Sequence, residues 1–137
     1  MKPFALKVVT PDGLEFEGQV EQLIVRTTSG DMGIMAGHIN YVAPLGMGQA
    51  MVDVDGVRRY GACIGGMVSV VNGSVTLVPT TFEWADEIDV DRAKASQSRA
   101  EQILHDKTST DTDILLAKAR LMRALVRTSV AGESKYR

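Results

Sequence analysis

Lys118, Arg120, Arg123 and Arg127 fall within residues 114–130, a stretch with no acidic residue, in a chain whose formal net charge is -2. Arginine presents a planar fork of donors that matches phosphate and carboxylate oxygens, so such a cluster suits an acidic protein surface or a phosphate. Arg123 and Arg127 are four apart and share a helix face, as do Arg92 and Arg99, seven apart. Two helices lying side by side with these faces together would converge four guanidiniums on a polyphosphate. The same cations equally fit a solvated helix face, with positive charge favoured toward the helix C-terminus.

Other chemistries find little support. Cys63 is the single cysteine, set among Gly61, Ala62, Ile64, Gly65 and Gly66, and it reads as a small buried residue in a reducing compartment. Neither His38 nor His105 has a context that would activate it, and one Cys with two distant His makes no zinc site. The run Gly30-Asp31-Met32-Gly33-Ile34-Met35-Ala36-Gly37-His38 lacks the Lys-Ser/Thr ending of a phosphate-cradling loop. Glycine there is expected to allow tight bends between strands. Glu15, Glu17 and Glu21 read as the wet face of a strand rather than an acid/base pair, so no catalytic residue is expected. A pI near 5.6 argues against nucleic acid as a partner.

The elements that must position these side chains divide the chain in two. Twelve of the thirteen glycines and all four prolines lie in residues 1–82, whereas residues 83–131 contain neither. Gly and Pro punctuate turns and are costly inside helices, so the first part reads as strands and the second as helix. Phe4 to Thr10 is an apolar, β-branched run that ends at the turn Pro11-Asp12-Gly13. Alternation continues through Leu14, Phe16, Val20, Leu23 and Val25. Asp55-Gly56 and Asn72-Gly73 each predict a tight hairpin. A β-sandwich or flattened barrel is expected over residues 1–84.

From Glu83 an acidic stretch leads to Asp89, a plausible N-cap, with a helix expected to about His105. Asp106 to Asp111 breaks it, and Thr110 or Asp111 caps a second helix to about Val130, ended by Gly132. The pair makes an antiparallel two-helix hairpin over residues 85–137, whose remaining apolar stripe must dock on the sandwich or on another protein. The N-terminus has no long apolar core of a leader peptide, and the two long uncharged stretches are interrupted by Gly, Asn and Pro, so a soluble chain is expected.

Taken in order, several motifs resemble the epsilon subunit of bacterial F-type ATP synthases. Val9-Thr10-Pro11-Asp12-Gly13 looks like that family's opening strand and turn, Gly30 to His38 like its glycine loop, and Gly65-Gly66-Met67 like the approach to its last hairpin. Ala85-Asp86-Glu87-Ile88-Asp89 with Arg92-Ala93 is similar to the opening of its helical hairpin, and Arg123-Ala124-Leu125-Val126-Arg127 to its closing signature. The resemblance implies ten strands in the sandwich, two C-terminal helices and a non-catalytic rotor component of the central stalk. It implies as partners the gamma subunit and the c-ring, bound by the sandwich, and the catalytic alpha and beta subunits, reached by the helices when they extend and oppose ATP hydrolysis. Lys118, Arg120, Arg123 and Arg127 are then the inhibitory contacts. Its setting would be the cytoplasmic side of the inner membrane, held peripherally through the complex.

Some bacterial members bind ATP at the folded hairpin through an Ile/Leu-Asp-x-x-Arg-Ala motif. Ile88-Asp89-Val90-Asp91-Arg92-Ala93 is similar to it, with Glu83 upstream, Arg99 further along and Arg123 and Arg127 on the second helix. The resemblance thus implies no required cofactor and ATP as a regulatory ligand. A free-standing nucleotide-sensing module built on the same arginines is the alternative that the residues leave open.

Overall fold

A computed structural model describes residues 2–133, so the ends of the two expected regions, residue 1 and residues 134–137, lie outside the described residues. The chain forms two compact units that divide after Trp84.

The first unit is a sandwich of two five-stranded sheets. One sheet has the order β2 (Gly13–Val20), β1 (Phe4–Thr10), β9 (Ser74–Val78), β8 (Met67–Val71), β5 (Tyr41–Pro44). The other has β10 (Thr81–Trp84), β7 (Val57–Ile64), β6 (Met47–Val54), β3 (Gln22–Thr27), β4 (Gly30–Ile34). All ladders are antiparallel except β1 with β9, which pair in parallel through Leu6 with Val75 and Val8 with Leu77. The inward residues of both sheets, among them Leu6, Val8, Val20, Leu23, Val25, Val52, Val68, Val70 and Leu77, form one core. Each such side chain contributes about 1.5–3 kcal/mol on burial. Two buried threonines close turns: Thr10 Oγ1 accepts from Asp12 N, and Thr27 Oγ1 accepts from Ser29 N while donating to the Gly30 carbonyl.

Both expected hairpins form, and their central residues occupy the left-handed region: Asp55 at φ 52° with Gly56 at 81°, and Asn72 at 49° with Gly73 at 81°. The twist of this turn matches that of the strands it joins. Three readings shift. The alternation through Val20, Leu23 and Val25 is two strands, because the chain crosses from one sheet to the other at Glu21, whose N–H donates to the Asp53 carbonyl at 2.8 Å. Part of the glycine run is strand β4, where Gly33 pairs with Ile24. Glu83 belongs to β10 opposite Ala62 rather than to a helix approach, since it continues the ladder begun at Thr81.

The second unit is a 3-10 turn at Ala85–Glu87, α1 (Val90–His105) and α2 (Asp111–Glu133). α1 and α2 pack together, and α2 also packs on the 3-10 turn. With only residues 106–110 between them, the helices run antiparallel. Gly132 does not end α2, which continues through it to Glu133. No helix among the described residues is long and apolar enough to cross a membrane.

Candidate functional site

Asp89 stands at the N-cap of α1, in extended backbone at φ -79°, and its side chain accepts from Arg92 N at 3.0 Å. The Asp-x-x-Arg spacing is therefore a capping interaction that orients the first turn of α1. Ile88 just before it is buried, as is Ala93, while the Arg92 and Arg99 side chains are exposed. At the start of α2, Thr110 Oγ1 accepts from Asp113 N and the Asp113 carboxylate accepts from Thr110 N, both at 3.1 Å. That reciprocal pair settles the cap on Thr110 rather than Asp111.

The two helices meet along small residues. Ala93 and Ala100 on α1, and Ala117, Ala124 and Ala131 on α2, recur every seven residues and are all buried. Relative to that seam, Arg92 and Arg99 on α1 lie roughly a third of a turn to one side, and Arg120, Arg123 and Arg127 on α2 roughly a sixth to a third of a turn in the same rotational sense. In an antiparallel pair equal rotational offsets fall on the same surface, so these five arginines line one side of the hairpin. Counting back from the connection puts Arg92 level with Arg123 and Arg127, and Arg99 level with Arg120. Arg123 and Arg127 are half-buried. Lys118 falls on the far side of α2, so the inhibitory set inferred from sequence does not share one face. That other side carries exposed Leu115, Met122 and Leu125. Glu83 lies in the sandwich unit, on β10.

A second surface escapes linear reading. On the outer face of the β2-β1-β9-β8-β5 sheet, Pro44 pairs with Met67 and Met67 with Val78. One residue past the Val8 and Leu77 pair, Val9 comes beside Val78, and Val9 pairs with Leu14. The result is an apolar row across all five strands, with Met67 41%, Val78 46% and Leu14 57% exposed. A parallel row begins at the exposed Val42 and is polar from there on, through Ser69, Thr76, Lys7 and Glu17, ending in an exposed ion pair at 3.9 Å. Contiguous apolar surface rimmed by polar residues marks interaction sites.

Cys63 is 3% exposed, and burial pushes its thiol up to about 12, so it carries no thiolate at neutral pH. His38 Nδ1 lies 2.8 Å from the Ile39 carbonyl, and its ring meets Tyr41 edge-on. Among the described residues no group of three or more His, Cys, Asp or Glu could hold a metal ion.

Residues 3–85 match the family described as the beta-sandwich domain of the ATP synthase delta/epsilon chain, and residues 86–132 match its long alpha-helix domain. The ATP synthase epsilon chain of Ruminococcus albus is 45% identical over 134 residues, covering 97% of this chain and 99% of that one. The epsilon chain of Bacillus velezensis is 42% identical over 132 residues, 96% and 99% of the two chains. Among solved structures, a chain of the Euglena gracilis mitochondrial ATP synthase superposes with a TM-score of 0.80 at 20% identity, covering 98% of this chain and 82% of that one. A chain from the central stalk and c-ring structure of the Tetrahymena thermophila enzyme gives 0.61 at 16%, covering 93% and 95%. These two show a shared fold. With both halves matched in order and the relatives covered nearly end to end, the chain belongs to the delta/epsilon chain family of ATP synthase, as an epsilon chain, a non-catalytic subunit.

Proposed function

We propose that this chain works in the rotor of an F-type ATP synthase, with the sandwich as its fixed anchor and the helical hairpin as its regulatory part. The observation that carries the reading is the division of labour between two surfaces on two units: an apolar row across five strands, and five arginines along one side of a helix pair. The apolar row suits the gamma subunit, which would cover it permanently, and the c-ring would take a neighbouring part of the sandwich. The complex would then hold the chain peripherally at the cytoplasmic side of the inner membrane. Rotation passes through such an anchor without chemistry.

The hairpin is held by alanines, which bury little apolar area per residue, so separating the helices costs less than opening a leucine seam. Once apart from its folded position, α2 would present Arg120, Arg123 and Arg127 to acidic surfaces of the catalytic alpha and beta subunits and oppose hydrolysis. ATP bound by Arg92, Arg99, Arg123 and Arg127 would favour the folded hairpin by RT ln(1 + [ATP]/Kd), about 2.7 kcal/mol at a hundredfold excess over Kd. Asp89 would act through its cap, by fixing the turn that carries Arg92.

Two experiments test the two parts separately. A tagged chain should recover gamma and catalytic subunits from its own cell extract, and Met67→Asp with Val78→Asp should abolish that recovery; recovery of neither from the parent would defeat the anchor role. Calorimetry of the full chain should give saturable heat with ATP that Arg127→Ala weakens at least about tenfold, in line with charge-assisted hydrogen bonds of about 1.5–3 kcal/mol. No heat at millimolar ATP would remove the nucleotide.

A further inference from the structure

The joint between the two units is built on an edge. β10 has four residues, pairs with β7 and stands at the end of its sheet, and Trp84 is the last residue of the sandwich unit. A short strand at the edge of a sheet frays readily.

What opposes it is side-chain packing from both sheets. Trp84 is 4% exposed, and its ring is met edge-on by Phe82 at 4.9 Å and by Phe16, from β2 of the opposite sheet, at 6.1 Å. The Arg59 guanidinium, from β7, lies 3.7 Å from the centroid of the Trp84 ring. Gly61 on β7 leaves room for Phe82: a Cβ there would collide with the far edge of that ring. Arg59 is only partly buried, so a cation is placed over an aromatic face near the sandwich surface without the full cost of burial.

We infer that Arg59 is a positioning residue which clamps Trp84 to the sandwich and so stops β10 from peeling. The clamp is a property of the sandwich unit alone. It depends on the rotor reading only for the use to which the joint is put.

Hydrogen exchange of the full chain tests it. Arg59→Met keeps the stem and removes the cation, and the amides of β10 should exchange about tenfold faster while those of β3 and β6 keep their rates. Arg59→Lys, which retains charge but not the planar stack, should restore part of the protection. The emission of Trp84, the one tryptophan, should shift to the red in Arg59→Met and less so in Arg59→Lys. Unchanged β10 exchange in Arg59→Met would overturn the inference, and so would a uniform acceleration of all strands in both variants, which marks a core defect rather than a clamp. Neither result depends on whether the chain recovers gamma or binds ATP, so a failure of those tests leaves this one standing.

Discussion

Cys63 faces the sandwich interior from β7, where loss of hydration penalises the thiolate and pushes the pKa up to about 12 from an ordinary 9.0. Between those values the unfolded chain releases a proton that the folded chain keeps. The thiol's stabilising contribution is therefore whole below the unfolded value and is lost as pH rises, by about 1.4 kcal/mol per pH unit. Urea midpoints of the parent should fall more steeply above pH 9 than those of Cys63→Ala, which shares every other titrating group. At Gly66, φ is 92° and a Cβ would land on the Val78 carbonyl oxygen. Gly66→Ala is expected to cost at least about 2 kcal/mol, read as a lower thermal midpoint, from backbone strain and a clash that no rotamer relieves. The burial of Cys63 was legible from its glycine and alanine neighbours. The need for Gly66 was not, because the atom it would strike belongs to a strand twelve residues away in sequence.

Caps decide where the helices of this chain begin and end. The Thr110 and Asp113 pair satisfies two N–H groups at the start of α2, and removing the hydroxyl in Thr110→Ala should destabilise the helical unit by about 1 kcal/mol, seen as lost helical ellipticity on heating. At the other end of the connection, the Thr108 N–H and hydroxyl both donate to Asp106 Oδ1 and hold that carboxyl below its usual range. This contribution is present above the unfolded pKa and disappears as pH falls through the lower folded value. Amides at the end of α1 should thus exchange faster in Asp106→Ala at neutral pH and match the parent in acid. Helix limits could be read closely because caps and breaks are local. The strands were uneven: β1 and the two hairpins carry β-branched alternation and turn dipeptides, whereas β4, β5 and β10 are short, hold Gly or Pro or acidic residues, and exist because a neighbour pairs with them. The apolar row on the outer sheet was invisible for the same reason, since it joins residues of five strands, two of which, β1 and β9, pair in parallel although they lie at opposite ends of the sandwich's sequence.

At the scale of the whole molecule, the change in glycine and proline content after residue 82 and the physical boundary after Trp84 coincide closely because both reflect where turns stop being needed. What composition could not convey is how unequal the two units are energetically. Every residue of the main core lies between Phe4 and Trp84, and the core draws on both sheets. The helical unit instead relies on a seam of alanines, with Val130 and Ile88 as its larger buried side chains. Burial is worth about 25 cal/mol per Å2 of apolar area, so an alanine seam leaves little to offset the ordering of two helices, whose stability in a protein comes mostly from packing an apolar face. Residues 1–84 produced alone are therefore expected to unfold in one cooperative transition with a β-type spectrum. Residues 85–137 produced alone should show a shallow, non-cooperative loss of helicity, deepening in Ala124→Gly. If ATP holds the hairpin folded, millimolar ATP should sharpen that transition only while Arg92, Arg99, Arg123 and Arg127 are intact. A cooperative, ligand-independent melt of the isolated hairpin would mean that its seam is far stronger than its alanines imply, and a nucleotide could not then govern whether it opens.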